Sequence, residues 1–359
     1  MNDHASQKIL VLRYRFIGDT ILAVPFLRNL RRARPDAWIT WVVAPGSAEV
    51  VKGIPYVDEL LFWDPVTIHA DSRGTHRTLK SRLDFVRELR RRKFDTAYVL
   101  KRSFSSAIMA LLSGARRRIG FNTEGRGFLL TKRIPYLLDR HEVLSFLDVL
   151  RADGIEPTDD HLEAWIDTAE DQEARSLMGV GPGFLAIHPF ASSGVKSWPL
   201  ERFADVAHTA NKLYGLVPVV LGGTRDLEAA NGVAGLFPAG TLNLAGACGL
   251  RVTMAVLARC AAFIGNDSGI MHLASAAGIP LVAVFGPTSP VRFGPWGVNC
   301  RVVHSRFPCS PCRQRLFTEC EPTPNGRPRC IDDIPSSTVI EELKSLLSEQ
   351  KPAASKEGL

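Results

Sequence analysis

The segment Phe263–Pro280, FIGNDSGIMHLASAAGIP, holds a buried-strand pattern that stops at Gly265, a polar cluster from Asn266 to Gly269, and then an apolar helical spacing. A strand that hands over to a helix through small and polar residues is the building unit of a parallel sheet covered by helices. The first N–H groups of such a helix lack partners within it and carry partial positive charge, so Ser268 and Gly269 open a site suited to an anion. His272 stands four residues after Ser268 and shares its helix face. Taken alone, Asp267 also reads as a helix cap and His272 as a core histidine.

The same alternation extends outward from this segment. Strands are expected at 8–13, 38–43, 58–62 and 96–100, and again at 184–188, 217–221, 262–265 and 281–285. Helical spacing occupies 19–32, 79–92, 103–112, 200–213, 226–236, 252–259 and 268–276. A polar loop is expected over 64–76. Between about 155 and 183 the pattern pauses in acidic and Gly/Pro-containing sequence, which predicts a domain junction. The expected organisation is one α/β domain over 1–157, a second over 158–349, and a disordered polar tail over 350–359. Open sheets of this kind bind ligands beyond the carboxyl ends of their strands.

Composition narrows the class. Of 359 residues, 45% are hydrophobic and 23% charged, which suits a soluble globular chain and excludes disordered, collagen-like or disulfide-dense classes. No apolar run reaches the ~18 residues of a membrane span, and Met1–Lys8 lacks an apolar signal core, so a cytoplasmic protein is expected. No Gly-x-Gly-x-x-Gly follows the first strand and no phosphate-loop motif occurs, which counts against a dehydrogenase or an ATPase. The net charge is +7, divided as +10 over residues 1–157 and −3 over the remainder. A basic half suits an anionic partner, although it also suits a well-solvated surface. Nucleic acid fits poorly, because the basic residues are not interleaved with aromatics on an identifiable module.

Two further strand ends carry chemistry. Arg13–Thr20, RYRFIGDT, turns at Gly18 and places Asp19 at or near a helix start, as a cap or as a carboxylate able to accept a proton. His188–Pro199, HPFASSGVKSWP, offers the Ser192 and Ser193 hydroxyls and the Lys196 ammonium in a loop of small residues, suited to a phosphate.

These segments, in this order, resemble glycosyltransferase family 9, the bacterial lipopolysaccharide heptosyltransferases. The resemblance spans roughly Lys8 to Leu347. It includes Gly18-Asp19, Arg117-Arg118-Ile119-Gly120-Phe121, Glu124-Gly125-Arg126-Gly127 and His141-Glu142-Val143. Lys196-x-Trp198-Pro199, Gly222-Gly223, Gly265-Asn266-Asp267-Ser268-Gly269-x-x-His272 and Gly286-Pro287-Thr288 complete it. It implies a GT-B fold, two Rossmann-like domains with a central cleft, the first holding the acceptor and the second the nucleotide-sugar donor. The implied reaction is inverting, metal-independent transfer of heptose from ADP-heptose to a lipid A–Kdo inner core at the cytoplasmic membrane face.

On that resemblance Asp19 is the general base and Lys196 the cation stabilising the departing diphosphate. Ser192, Ser193, Asp267, Ser268, Gly269 and His272 complete the donor site. Arg126 and His141 are the candidates for acceptor contacts. Ser145 stands where the family often has a basic residue, which leaves the acceptor's identity open. No Asp-x-Asp pair is present to hold a divalent metal beside a diphosphate. Two alternatives stay in view: a nucleotide-sugar epimerase of the same two-domain fold, and a non-catalytic binding module for a sugar nucleotide or lipopolysaccharide.

Four of seven cysteines cluster as Cys309-x-x-Cys312, Cys320 and Cys330. The spacing suits one tetrahedral structural Zn or Fe, or equally four reduced thiols in a Pro-rich loop.

Overall fold

A computed structural model describes residues 6–65, 74–305, 307–312, 320 and 322–349. The expected disordered tail over 350–359 and the centre of the polar loop expected over 64–76 lie outside the described residues. The chain divides into two compact units, Met1–Trp165 and Ile166–Leu359.

In the first unit the strands are β1 (Lys8–Leu12), β2 (Trp38–Val43), β3 (Glu59–Phe62), β4 (Thr96–Val99), β5 (Arg117–Phe121) and β6 (Lys132–Ile134). Its helices are α1 (Ile17–Leu22), α2 (Val24–Ala33), α3 (Pro45–Ala48), α4 (Leu79–Arg91), α5 (Phe104–Leu112) and α6 (Glu142–Ala152). These strands pair in parallel, in the order β3-β2-β1-β4-β5-β6. Buried Leu10, Leu12, Val42, Ala97 and Val99 from the sheet pack with Phe85, Leu89, Ala107 and Ala110 from α4 and α5.

The second unit repeats the plan. Its strands are β7 (Phe184–His188), β8 (Val217–Val220), β9 (Leu242–Asn243), β10 (Ala262–Asn266), β11 (Leu281–Phe285) and β12 (Cys300–His304). Its helices are α7 (Thr168–Met178), α8 (Leu200–Tyr214), α9 (Leu227–Gly232), α10 (Leu250–Ala258), α11 (Gly269–Ala276), α12 (Pro290–Phe293), α13 (Arg329–Asp332) and α14 (Ser336–Ser348). The order β12-β11-β10-β7-β8-β9 reproduces, within this unit, the order of the first. Both sheets have the doubly wound order in which direction reverses beside the first strand, and ligands bind at that reversal. In the first unit it lies between β1 and β4; in the second, between β7 and β10.

The first unit runs to Trp165, beyond the junction expected at 157/158. The acidic stretch that reads as a linker is tied to α2 instead. Buried Arg28 donates from Nε to Asp159 at 2.8 Å and from Nη2 to the His161 carbonyl at 2.7 Å, and pairs with Glu163 at 2.9 Å. The later part of the apparent pause holds α7, opened by a reciprocal cap between Asp167 and Glu170.

Candidate active site

In the first unit, β1 ends at Leu12 and the chain turns before α1. The left-handed residue of that turn is Arg15, φ 129°, whereas Gly18 lies buried inside the helix. Asp19 sits in the first turn of α1, and no side chain caps that helix. The cap reading of Asp19 therefore gives way to a different state: its carboxylate pairs with buried Arg13 and remains partly exposed, at 17% of the side chain.

Lys101 follows β4, the neighbour of β1, and its backbone N–H donates to the Leu12 carbonyl at 3.0 Å. Its ammonium lies 5.1 Å from the centroid of the Tyr14 ring. Burial first, then the charges of Arg13 and Arg15, push the Lys101 amine down to about 8, with Asp19 opposing and Arg102 adding to the fall. Arg102 stacks 4.1 Å over Tyr136 and pairs at 3.1 Å with fully buried Glu142. The crevice end of this sheet thus gathers Arg13, Arg15, Lys101 and Arg102 near the partly exposed Asp19 carboxylate and the buried Glu142. Neither Lys101 nor Arg102 carries a motif, and only the strand order brings Lys101 near enough to feel the charge of Asp19.

Arg126 and His141 do not stand open to a ligand. Arg126 is fully buried, donating to the carbonyls of Phe121 at 3.0 Å and Ser103 at 2.9 Å, to that of Lys101, and to Ser106 Oγ at 2.9 Å. Burial pulls its guanidinium down to about 10. The residue braces the segment that carries Lys101. His141 caps α6, its Nδ1 accepting from the Val143 N–H at 3.2 Å.

In the second unit the residues singled out from sequence gather at the ends of β7 and β10. The Asn266 side chain accepts from the Trp198 N–H at 3.0 Å and donates to the Pro189 carbonyl at 2.9 Å, joining the two strand ends. Trp198, itself buried, donates from Nε1 to the Ile334 carbonyl at 2.8 Å and fixes the end of the loop. Gly265 cannot carry a side chain, since a Cβ would lie 2.5 Å from the Phe263 ring. Lys196 Nζ donates to Asp267 Oδ2 at 2.7 Å. Ser268 caps α11 through the Met271 N–H at 3.4 Å, and Ser268 and Gly269 stay half-exposed at the helix start. His272 is buried one turn further along. Ser193 is half-buried and Ser192 exposed on the loop. A cavity of about 370 Å³ lies behind this loop, bordered by Phe190, Gly194, Trp198 and Arg327 and not by Lys196, Asp267 or Ser268.

His188 joins this group, its Nδ1 3.1 Å from Ser268 Oγ. Burial pushes the imidazole down to about 4, so it folds neutral. Below the unfolded value of ~6.5 the unfolded chain binds the extra proton. Its contribution to stability is therefore full above about pH 6.5 and is lost as pH falls towards about 4. Thermal melts taken down that range should show a steeper acid decline for the wild type than for His188→Gln; equal slopes would refute the assignment.

The cysteines are all free thiols. The Cys330 thiol is pushed up to about 11, by burial first and then by Cys309, Cys320 and Cys312, so the four share one neighbourhood. Among the described residues, however, no group of three or more His, Cys, Asp or Glu is arranged to hold a metal ion. The expected structural Zn or Fe site thus has no ligand set among them.

The model of glycosyltransferase family 9 (heptosyltransferase) matches residues 82–320. The chain belongs to glycosyltransferase family 9. This glycosyltransferase is 29% identical to lipopolysaccharide heptosyltransferase 2 of Salmonella typhimurium, over 96% of its own length and 99% of the relative's. Its fold matches the structure of Escherichia coli ADP-heptose lipopolysaccharide heptosyltransferase II with a TM-score of 0.75 and 25% identity, covering 96% and 100% of the two chains. A family 9 glycosyltransferase structure from Veillonella parvula gives 0.79 and 27%, covering 96% and 98%. The family 9 enzyme thus has the GT-B architecture of two Rossmann-like units, and its relatives are lipopolysaccharide heptosyltransferases.

Proposed function

We propose that this enzyme transfers a heptose, with inversion, from ADP-heptose to a lipopolysaccharide inner-core acceptor, a lipid A–Kdo glycolipid at the inner face of the cytoplasmic membrane. The observation that carries the reading is that both strand-order reversals are equipped, one with a carboxylate among cations and the other with a lysine, hydroxyls and an open helix start. The Escherichia coli relative is an ADP-heptose lipopolysaccharide heptosyltransferase.

Asp19 takes the proton of the acceptor hydroxyl as that oxygen attacks the anomeric carbon. The bond to the diphosphate breaks and the ADP oxygen gains negative charge. Lys196 and the first N–H groups of α11 stabilise that charge, a role for which fixed dipoles and cations are well suited. Ser192, Ser193 and His272 hold the diphosphate, and Asp267 orients Lys196 and the sugar hydroxyls. These fixed positive groups supply the charge stabilisation, and the chain carries no Asp-x-Asp pair, so transfer proceeds without a divalent metal. The four-thiol loop stays outside the chemistry. On the acceptor side Lys101, Arg102 and Arg15 meet the acceptor's phosphates or carboxylates. Arg126 and His141 support them by holding the loop and the start of α6.

A donor panel tests the reaction. ADP release from ADP-heptose only in the presence of a deacylated core supports it; turnover of a UDP-sugar without acceptor would establish the epimerase instead. Lys101 gives a pH-dependent check. It is charged below about pH 8 and neutral above, so the acceptor KM should rise as pH passes about 8. Lys101→Met should raise the acceptor KM roughly tenfold at neutral pH and leave the ADP-heptose KM unchanged. Lys101→Arg should restore affinity and shift the alkaline limb upward. An unchanged acceptor KM in Lys101→Met would remove this residue from the site.

A further inference from the structure

Helix α5 is apolar on both sides. Ser106, Ala107, Met109 and Ala110 face the core, as a surface helix requires. On the outward side, where polar residues are the rule, Phe104, Leu111 and Leu112 stand at i, i+7 and i+8 beside exposed Ser105, while half-buried Ile108 packs against the core. Phe104, Leu111 and Leu112 are 38%, 41% and 39% exposed. Phe128, 71% exposed, extends the stripe, its ring centroid 6.2 Å from that of Phe104.

Cations rim this surface. Arg90 packs its methylenes 3.8 Å from where a Gly114 side chain would begin, just past the end of α5, and Arg116 follows. Arg133 lies against Gly127, next to Phe128, with Lys132 preceding it. All four are exposed, and among the described residues none has an ion-pair partner. Glu124 is engaged at the helix start, accepting from the Phe104 N–H at 2.9 Å.

We propose that this face docks on an anionic phospholipid bilayer, with Phe104, Leu111, Leu112 and Phe128 entering the interface and the arginines and lysine meeting the headgroups. Charge selects this occupant. A bilayer surface offers hydrocarbon and fixed negative charge together, and basic residues bordering an apolar helix face are the pattern that binds it. A second copy of this chain, paired through the same patch, would set these cations against one another. With nine residues, α5 is far too short to span a bilayer, and no described helix is long and apolar enough to do so, so it lies on the surface. The proposal deepens the glycolipid reading above, but vesicle binding is read without donor or acceptor, so either can fail alone.

Co-sedimentation of the full chain with phosphatidylcholine vesicles, with and without phosphatidylglycerol, tests it. The wild type should sediment with the anionic vesicles, weakly with the neutral ones, and less as salt rises. Leu111→Ser/Phe128→Ser and Arg116→Glu/Arg133→Glu should each lower the affinity at least tenfold, with thermal melts like the wild type's. Leu213→Ser, at an exposed apolar position of α8, should bind like the wild type. Equal binding by all variants, or no binding by the wild type, would overturn the proposal. So would a dimer in sedimentation velocity that the same substitutions dissolve.

Discussion

Lys196→Ala should lower kcat by about a hundredfold and weaken ADP binding by at least tenfold, because one cation serves both the bound diphosphate and its departure. The ammonium lies 2.7 Å from Asp267, whose side chain is only 9% exposed. Removing Lys196 therefore does more than delete one positive charge. It leaves a nearly buried carboxylate beside the proposed diphosphate site, adding like-charge repulsion to the lost attraction. That second effect is separable. Asp267→Asn in the Lys196→Ala background should recover part of the ADP affinity, while kcat stays low because the cation is still missing. Titration calorimetry with ADP and initial rates of ADP release from ADP-heptose measure the two quantities. Wild-type ADP affinity in Lys196→Ala would place the donor elsewhere.

Asp19→Asn should produce the larger loss, a fall in kcat of about a thousandfold, within the range expected for a missing general base. The amide keeps the shape of the carboxylate and can still accept one hydrogen bond from Arg13, so α1 should remain folded. What it loses is the capacity to take the acceptor proton. ADP affinity should be unchanged, since every donor contact assigned here belongs to the second unit. Rates at saturating ADP-heptose and acceptor report the loss, and a kcat within tenfold of wild type would deny Asp19 the role.

The alternation of strands and helices in both units was legible, because buried parallel strands read as short apolar runs. Thus 38–43 and 281–285 coincide with β2 and β11. The strands that escaped notice lie toward the sheet margins. β5 begins with Arg117-Arg118, β6 contains Lys132 and Arg133, β9 has two residues, and β12 is the half-exposed edge strand Cys300–His304. β6 is an edge strand, where such charges discourage further pairing, and charges of this kind hide both it and its neighbour β5 from an apolar pattern. The helix expected over 19–32 is two helices, α1 and α2, parted at Ala23 before Pro25. α7 escaped because its surface is polar, although Asp167 and Glu170 spell a capping box.

For the site, legibility depended on whether its residues were neighbours in sequence. Asp267, Ser268 and His272 are written into one segment, and so are Ser192, Ser193 and Lys196. The Arg13–Asp19 pair also spans a single turn. The approach of Lys101 to Asp19 depends on β1 and β4 being adjacent, a fact of strand order that no local pattern encodes. Arg126 shows the converse. The family resemblance makes Arg126 a candidate for acceptor contacts, yet the carbonyls of Phe121, Lys101 and Ser103 converge on it and make it a brace.

The most direct measurement is a single turnover. Enzyme saturated with ADP-heptose is mixed with a deacylated inner-core glycan, and the glycan is followed by mass spectrometry for the gain of one heptosyl unit. Wild-type protein should convert the bound donor to heptosylated glycan and ADP in equal amounts, and Asp19→Asn, holding the same donor, should yield almost none on that timescale. A burst of product from Asp19→Asn at the wild-type rate, or donor consumption by the wild type with an unmodified glycan, would contradict the account.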